Sequence, residues 1–375
     1  MRIALVILHA DPKRGGAERY TADLAGALAK RGHDVSLLAT SFADTPPQVK
    51  IVELSAKGLT RTKRYQSMLD SLDAQLDAGH FEIVHAMLPV RRCDVYHPHA
   101  GMASKSVAAA PVSALFNPRR GAMAEVERNL LADPRKAPVV LCLSEYVKRD
   151  VRKYYPDLPD DRLATLFNAV NLNYFDPDID HDGGSTRQKY GIPNEDVVAL
   201  IIAQDFARKG VSQAISAVQK INAQRGESQP TLKLLVVGEG PHSVEDENII
   251  FAGTSWKIAK FYSAANFFVL PTKHDPCSLV VLEALAMGLP VISTVFNGAC
   301  EIMTDGVHGF VLPDPNDIDA LADAMRNMLD VGLRKKMSAA CLELRAALSY
   351  EAHLDRLMQI YQRCAVRSRG DALSS

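Results

Sequence analysis

Short apolar runs, each followed by a longer stretch of helical periodicity, recur along the whole chain, and this alternation restricts the fold more than any other feature. The runs Ile3–Leu8, Val35–Leu38, Ile83–Met87 and Val139–Leu143 are apolar but for Ser36 and His85, as strands buried on both faces are. Between the first two lies a loop with Gly15 and Gly16. Ala17, Tyr20, Leu24 and Leu28 then follow at helical spacing, with Gly32 as a C-cap. The pattern restarts after residues 168–173 and the polar stretch 176–185. Strands are expected at Val197–Ala203, Leu232–Val237, Ile249–Ala252, Phe267–Leu270, Val291–Thr294 and Gly309–Leu312, alternating with helices near Val211–Ile221, Ile258–Ala264, Leu279–Met287 and Ile318–Leu329. Such alternation argues for parallel sheets covered by helices on both faces. A chain of 375 residues is long enough for two cores. The expected fold is α/β, two Rossmann-like doubly wound domains facing a cleft. Residues 1–170 form the first, 171–348 the second, and 349–375 a C-terminal helix that returns to the first.

Several function classes fall away. No run approaches the roughly 20 apolar residues that a membrane-spanning helix needs. The apolar start ends in His9, Asp11, Lys13 and Arg14 with no small-residue cleavage site, so it reads as a strand and not a signal peptide. Six cysteines (Cys93, Cys142, Cys277, Cys300, Cys341, Cys364) lack C-x-x-C spacing, and reduced thiols without structural zinc are expected. The expected location is cytoplasmic, or peripheral on the inner membrane face. Charge is unevenly placed: 24 Lys and Arg stand against 19 Asp and Glu up to residue 170, and 19 against 25 beyond it. A basic first half suits an anionic partner or an anionic membrane surface, although a solvated face explains it equally well. The segment from Ser104 to Leu131, with apolar runs Val107–Ala110 and Ala114–Phe116 beside Arg119, Arg120 and Arg128, has the character of an interfacial surface or of a plain helix pair with a basic face.

Four constellations carry chemistry. In the segment from His274 to Pro290 a strand ends at Pro271, Asp275 lies in a polar loop, and Ser278 is placed to cap a helix whose first turn (Leu279, Val280) has free N–H groups suited to phosphate. Glu283 follows within that helix, where a carboxylate can accept hydrogen bonds from a ribose diol, while Asp275 can bind sugar hydroxyls. The bland alternative makes Ser278 a cap and Asp275 a turn residue. Arg208 and Lys209 stand after the strand Val197–Ala203, where two cations suit a diphosphate, Arg by its planar fork and Lys as a point charge. Gly15 and Gly16 let the backbone approach a ligand, but their loop is not the G-x-G-x-x-G fingerprint, and NAD binding loses support. Finally, His97 and His99 lie in the stretch Cys93–Gly101, with His85 upstream.

The segment from His274 to Pro290 resembles the signature of family-four retaining glycosyltransferases, in which two acids eight positions apart flank a Gly-Leu-Val helix start and a G-x-P strand follows. Here the acids are Asp275 and Glu283, and Ser278 stands where the family has Gly. Asp275 replaces the family's usual Glu, keeping the charge with a shorter reach. The resemblance runs from Gly15 through His308 and is closest to the lipopolysaccharide-core glucosyltransferase type. It implies a GT-B fold and a nucleotide-sugar donor. Lys209 would stabilise the leaving diphosphate. Gly15, Gly16 and Gly238 would border the donor, and Glu18 would join them. His99, with His97 and His85 as rivals, would bind donor hydroxyls. Trp256, near Gly253, would either stack on the base or lie in the core.

No cofactor beyond the donor and no nucleic acid is expected. No metal is expected either, because no D-x-D pair stands at a strand end and the cations take its place. The partners implied are a nucleotide-sugar, UDP-glucose-like in type, and a glycan or lipid-linked acceptor in lipopolysaccharide or cell-surface glycan synthesis, handled by a monomer or weak dimer. The competing functions are a nucleotide-sugar epimerase on the same fold, which would need several acid/base groups around the sugar, a sugar phosphorylase, which would need a pyridoxal-binding lysine, and a non-catalytic nucleotide-sugar binding protein.

Overall fold

The computed structural model describes residues 1–109, 118–226 and 229–373. The chain divides into two units. Unit 1 comprises Met1–Asn168 with Tyr350–Ser375, and unit 2 comprises Ala169–Ser349.

Unit 1 is built on a seven-stranded sheet of β1 (Arg2–Val6), β2 (Asp34–Ala39), β3 (Lys50–Glu53), β4 (Ile83–Ala86), β5 (Val95–Tyr96), β6 (Val139–Cys142) and β7 (Leu163–Thr165), in the order 3-2-1-4-5-6-7. Every pairing is parallel, in keeping with the largely apolar central runs. Ile3, Ala4, Leu5 and Val6 are fully buried. Helix Gly16–Lys30 lays Tyr20, Leu24, Ala25 and Leu28 on the sheet. Helix Tyr350–Leu373 belongs to this unit. Tyr20 donates its hydroxyl hydrogen to His353 at 2.8 Å, and Arg31 pairs with Asp355 at 2.6 Å.

Three strands of this sheet have no counterpart among the apolar runs. β3 is an edge strand whose residues are mostly exposed, while β5 and β7 hold two and three residues. Segments so short carry no period to read. Of the interfacial segment, helices Ala103–Ala109 and Pro118–Leu131 are described, and residues 110–117, with the run Ala114–Phe116, lie outside the described residues.

Unit 2 contains β8 (Val197–Ala203), β9 (Leu232–Gly238), β10 (Ile249–Gly253), β11 (Phe267–Val269), β12 (Val291–Thr294) and β13 (Gly309–Leu312). Its sheet is parallel with the order 10-9-8-11-12-13. All six strands fall on the apolar runs. Helix Val211–Ala223 buries Val211, Ala214, Ile215, Val218 and Ile221, one stripe of a 3.6-residue period. Full burial of each Val or Ile there contributes about 1.5–3 kcal/mol. The strand order reverses direction between β8 and β11, and also between β1 and β4 in unit 1. Crevices of open α/β sheets form at such reversals, beyond the carboxyl ends of the strands.

Candidate active site

In unit 2 the residues singled out from sequence converge on that reversal. β8 leads into Gln204 and Asp205. The Asp205 carboxylate caps the short helix Phe206–Lys209 by accepting from Arg208 N–H at 3.1 Å. Gly210 ends that helix at φ 76°, and a Cβ there would lie 2.3 Å from the Pro271 carbonyl oxygen. Only glycine lets this turn press against the loop after β11.

The cationic pair is held by that loop. Lys209 and Asp275 form an ion pair in which both side chains are nearly buried. Arg208 donates from Nε to Asp205 at 3.2 Å and from a terminal nitrogen to the His274 carbonyl at 2.7 Å, while its own carbonyl accepts from Lys273 N–H at 2.9 Å and Thr272 Oγ1 at 3.1 Å. Much of the Arg208 fork thus braces the loop, and Lys209 is tied to Asp275. That joins the two polar groups expected to serve diphosphate and sugar.

Helix Leu279–Ala286 begins immediately beyond. Ser278 occupies its N-cap position but makes no side-chain cap bond, contrary to the expectation, and its buried hydroxyl oxygen has no hydrogen-bond partner. Asn297, which sequence reasoning missed, takes part of that work. Its side-chain oxygen accepts from Ser278 N–H at 3.3 Å and from Ala299 N–H at 3.1 Å. The backbone bridges Asp275 to Asn297, with Asp275 N–H donating to the Phe296 carbonyl at 2.9 Å. The N–H groups of Leu279 and Val280 have no acceptor among the described residues. With the buried Ser278 hydroxyl they form a cluster of free donors at a helix N-terminus, which can hold a phosphate group.

Glu283 is buried and accepts a hydrogen bond from the Tyr262 hydroxyl at 2.8 Å. Tyr262, on helix Ala259–Ala264, orients this carboxylate, a partner that no spacing argument indicated. Gly238 closes β9 at φ 131°, where a Cβ would lie 1.7 Å from the Ala203 carbonyl oxygen. Its glycine permits contact with the end of β8, a packing requirement at the edge of the same site. Trp256 is 62% exposed, which excludes the core alternative.

In unit 1, Gly15 is the extended N-cap of helix Gly16–Lys30, and the Glu18 carboxylate folds over it, 3.0 Å from where a Cβ would be. Burial raises the Glu18 carboxyl above its ordinary range, opposed by a backbone hydrogen bond and by Arg14. Beside Tyr20 of that helix the three candidate histidines meet. The His97 and His99 rings lie 4.3 Å apart, His99 is 4.4 Å from the Tyr20 ring, and His85 stacks on His97 at 5.2 Å. Nε2 of both His97 and His99 is enclosed without a hydrogen-bond partner. Burial pushes His99 down to about 3, with His353 adding to the effect, so its ring is neutral at neutral pH. Among the described residues, no group of three or more His, Cys, Asp and Glu could hold a metal ion. No described helix is long and apolar enough to cross a membrane. All six cysteines are free.

Two doubly wound parallel sheets, one to each unit, are the architecture of the GT-B class. The chain matches the family described as glycosyl transferases group 1 over residues 184–351 and glycosyltransferase family 4 over residues 14–174. It belongs to these glycosyltransferases. Among its relatives is alpha-D-kanosaminyltransferase of Streptomyces kanamyceticus, 28% identical over 61% of this chain and 61% of the relative, so that match spans less than two thirds of either chain. The lipopolysaccharide glucosyltransferase WaaG of Escherichia coli K12 is 24% identical over 84% of this chain and 86% of its own. A crystal structure of WaaG superposes with a TM-score of 0.78 at 22% identity, covering 97% of this chain and 98% of that one. The HepE structure of Anabaena, in complex with UDP and glucose, has a TM-score of 0.69 at 18% identity over the full length of both chains.

Proposed function

We propose that the chain transfers a hexose, with retention and without a metal ion or other cofactor, from a UDP-sugar of the UDP-glucose kind to a glycan or lipid-linked acceptor. The observation that carries this reading is the donor cluster of unit 2. Free N–H groups of Leu279 and Val280 and the unpartnered Ser278 hydroxyl stand beside the Lys209–Asp275 pair. A phosphoryl oxygen is the acceptor such donors lack, and a bound diphosphate can draw Lys209 from Asp275. Lys209 then faces the charge that develops as the glycosidic bond to phosphate breaks, and Asp275 is released to sugar hydroxyls. Glu283, oriented by Tyr262, takes the ribose. The names of WaaG as a glucosyltransferase and of HepE as a UDP and glucose complex favour this donor. The acceptor belongs to unit 1, whose Gly15 and Gly16 border the donor and whose His99 takes donor hydroxyls. The positive excess before residue 170 favours a phosphorylated or lipid-linked acceptor, and docking on an anionic inner membrane face, in lipopolysaccharide or surface-glycan synthesis.

Calorimetric titration with UDP, GDP and ADP, on wild type and on Glu283→Ala, tests the donor. Tight binding of UDP that weakens at least tenfold in the variant is expected, and binding of none of the three would end the proposal. Slow hydrolysis of the UDP-sugar without acceptor separates a transferase from a protein that only binds it. Sedimentation with anionic vesicles at low salt tests the docking, which fails if the protein stays in the supernatant.

A further inference from the structure

Tyr361, His85 and His97 form a hydrogen-bonded chain inside unit 1 whose direction follows from its ends. Tyr361, on helix Tyr350–Leu373, is fully buried. Among the described residues the hydrogen-bond partner of its hydroxyl is His85 Nδ1, at 2.6 Å. A buried O–H requires an acceptor, so the hydroxyl donates and Nδ1 accepts. Neutral imidazole has one N–H and one lone pair. His85 thus keeps its proton on Nε2 and donates to His97 Nδ1 at 3.1 Å. His97 in turn carries its proton on Nε2, the enclosed atom that has no partner. The opposite direction would strand the Tyr361 hydrogen in the core. Neutrality of the rings is secured by burial, which lowers His85 to about 3 and His97 well below the ordinary histidine range.

We propose that Tyr361 and His85 are positioning residues that hold His97 as an Nε2–H donor to an oxygen of the sugar bound at this edge of unit 1. His97 directly follows β5, and its ring is flanked by those of His99 and Tyr20. A neutral donor among ring faces suits a sugar hydroxyl oxygen rather than a full anion. The proposal rests on reading this edge as a sugar site. It places part of the recognition chemistry under the control of a helix distant in sequence, because the hydrogen bond made by one ring nitrogen selects which nitrogen carries the proton.

The test uses the full chain with 15N-labelled histidine. Two-bond proton–nitrogen correlation spectra should show His97 as the Nε2–H tautomer in wild type. Tyr361→Phe, which keeps the ring, should shift His97 towards Nδ1–H. The same variant should raise KM for the UDP-sugar about tenfold, the cost of one misdirected hydrogen bond. Its calorimetric affinity for UDP should not change. In a His97→Gln background the glutamine amide supplies an N–H by itself, so adding Tyr361→Phe should have no further effect on KM. An Nδ1–H tautomer in wild type, or the same loss from Tyr361→Phe in both backgrounds, overturns the proposal. The wild-type tautomer requires no variant to fold and no turnover. Absence of UDP binding would therefore refute the donor reading while the spectra still decide the relay.

Discussion

Lys209 and Asp275 illustrate how a single contact ties stability to chemistry. Each neutralises the other in a nearly buried position, so removing one leaves an uncompensated charge. Lys209→Ala is expected to reduce kcat by on the order of 10²–10³, the effect of losing one transition-state donor, and to destabilise unit 2 by about 3 kcal/mol. The double variant Lys209→Ala, Asp275→Ala should recover much of the stability and none of the turnover. Urea denaturation beside steady-state assays checks both, and additive losses of stability would show that the pair is uncoupled. Gly238 makes a contrasting case. Gly238→Ala meets the Ala203 carbonyl and should cost more than the ~1–2 kcal/mol of a left-handed residue alone. Gly191→Ala, at φ 63° with nothing within 4 Å, should cost no more than that. Equal losses at the two positions would contradict the close approach of β8 and β9.

At the scale of elements, helix Leu279–Ala286 offers a test of its own N-terminus. Leu279 is the first helical residue, where proline is tolerated, and the Ser278 backbone is extended as a residue before proline requires. Leu279→Pro should therefore fold while lacking one free N–H. Affinity for UDP is expected to fall about tenfold, as for a lost hydrogen bond to a charged group, and unchanged affinity with intact circular dichroism would remove the diphosphate from this helix. The period of the apolar residues made the helix and the six strands of unit 2 legible. The positions of Lys209 and Asp275 beyond strand ends, and of Glu283 inside that helix, were legible too. Partnerships did not show, because Tyr262 reaches Glu283 and Asn297 reaches Ser278 across turns whose path no period encodes. In unit 1, His85, His97 and His99 stood out as rivals. Their association with one another and with Tyr361, hundreds of positions away, depends on the return of a helix to the sheet.

The whole molecule should show that histidine cluster in its response to acid. Burial holds His85 at about 3 and His353 at about 4, against an ordinary value of 6.5. Below pH 6.5 the unfolded chain takes up protons that the folded unit refuses. Stability is thus complete above that pH and declines as pH falls towards the folded values. Between pH 7 and pH 5 each ring should remove about 2 kcal/mol from unit 1. Urea titrations followed by far-ultraviolet circular dichroism at the two pH values measure this, and a transition that stays in place would mean that the rings are protonated inside the fold.

Unit 1 is assembled from two separated stretches of chain, and residues 169–349 between them make up unit 2. During translation, therefore, the first sheet is made early and then waits, its Tyr20 without His353 and its His85 without Tyr361, until synthesis has passed through the other unit. The continuous second unit can be finished beforehand. The histidines of the first unit thus acquire their complete hydrogen-bonded arrangement only after residues 169–349 have been made.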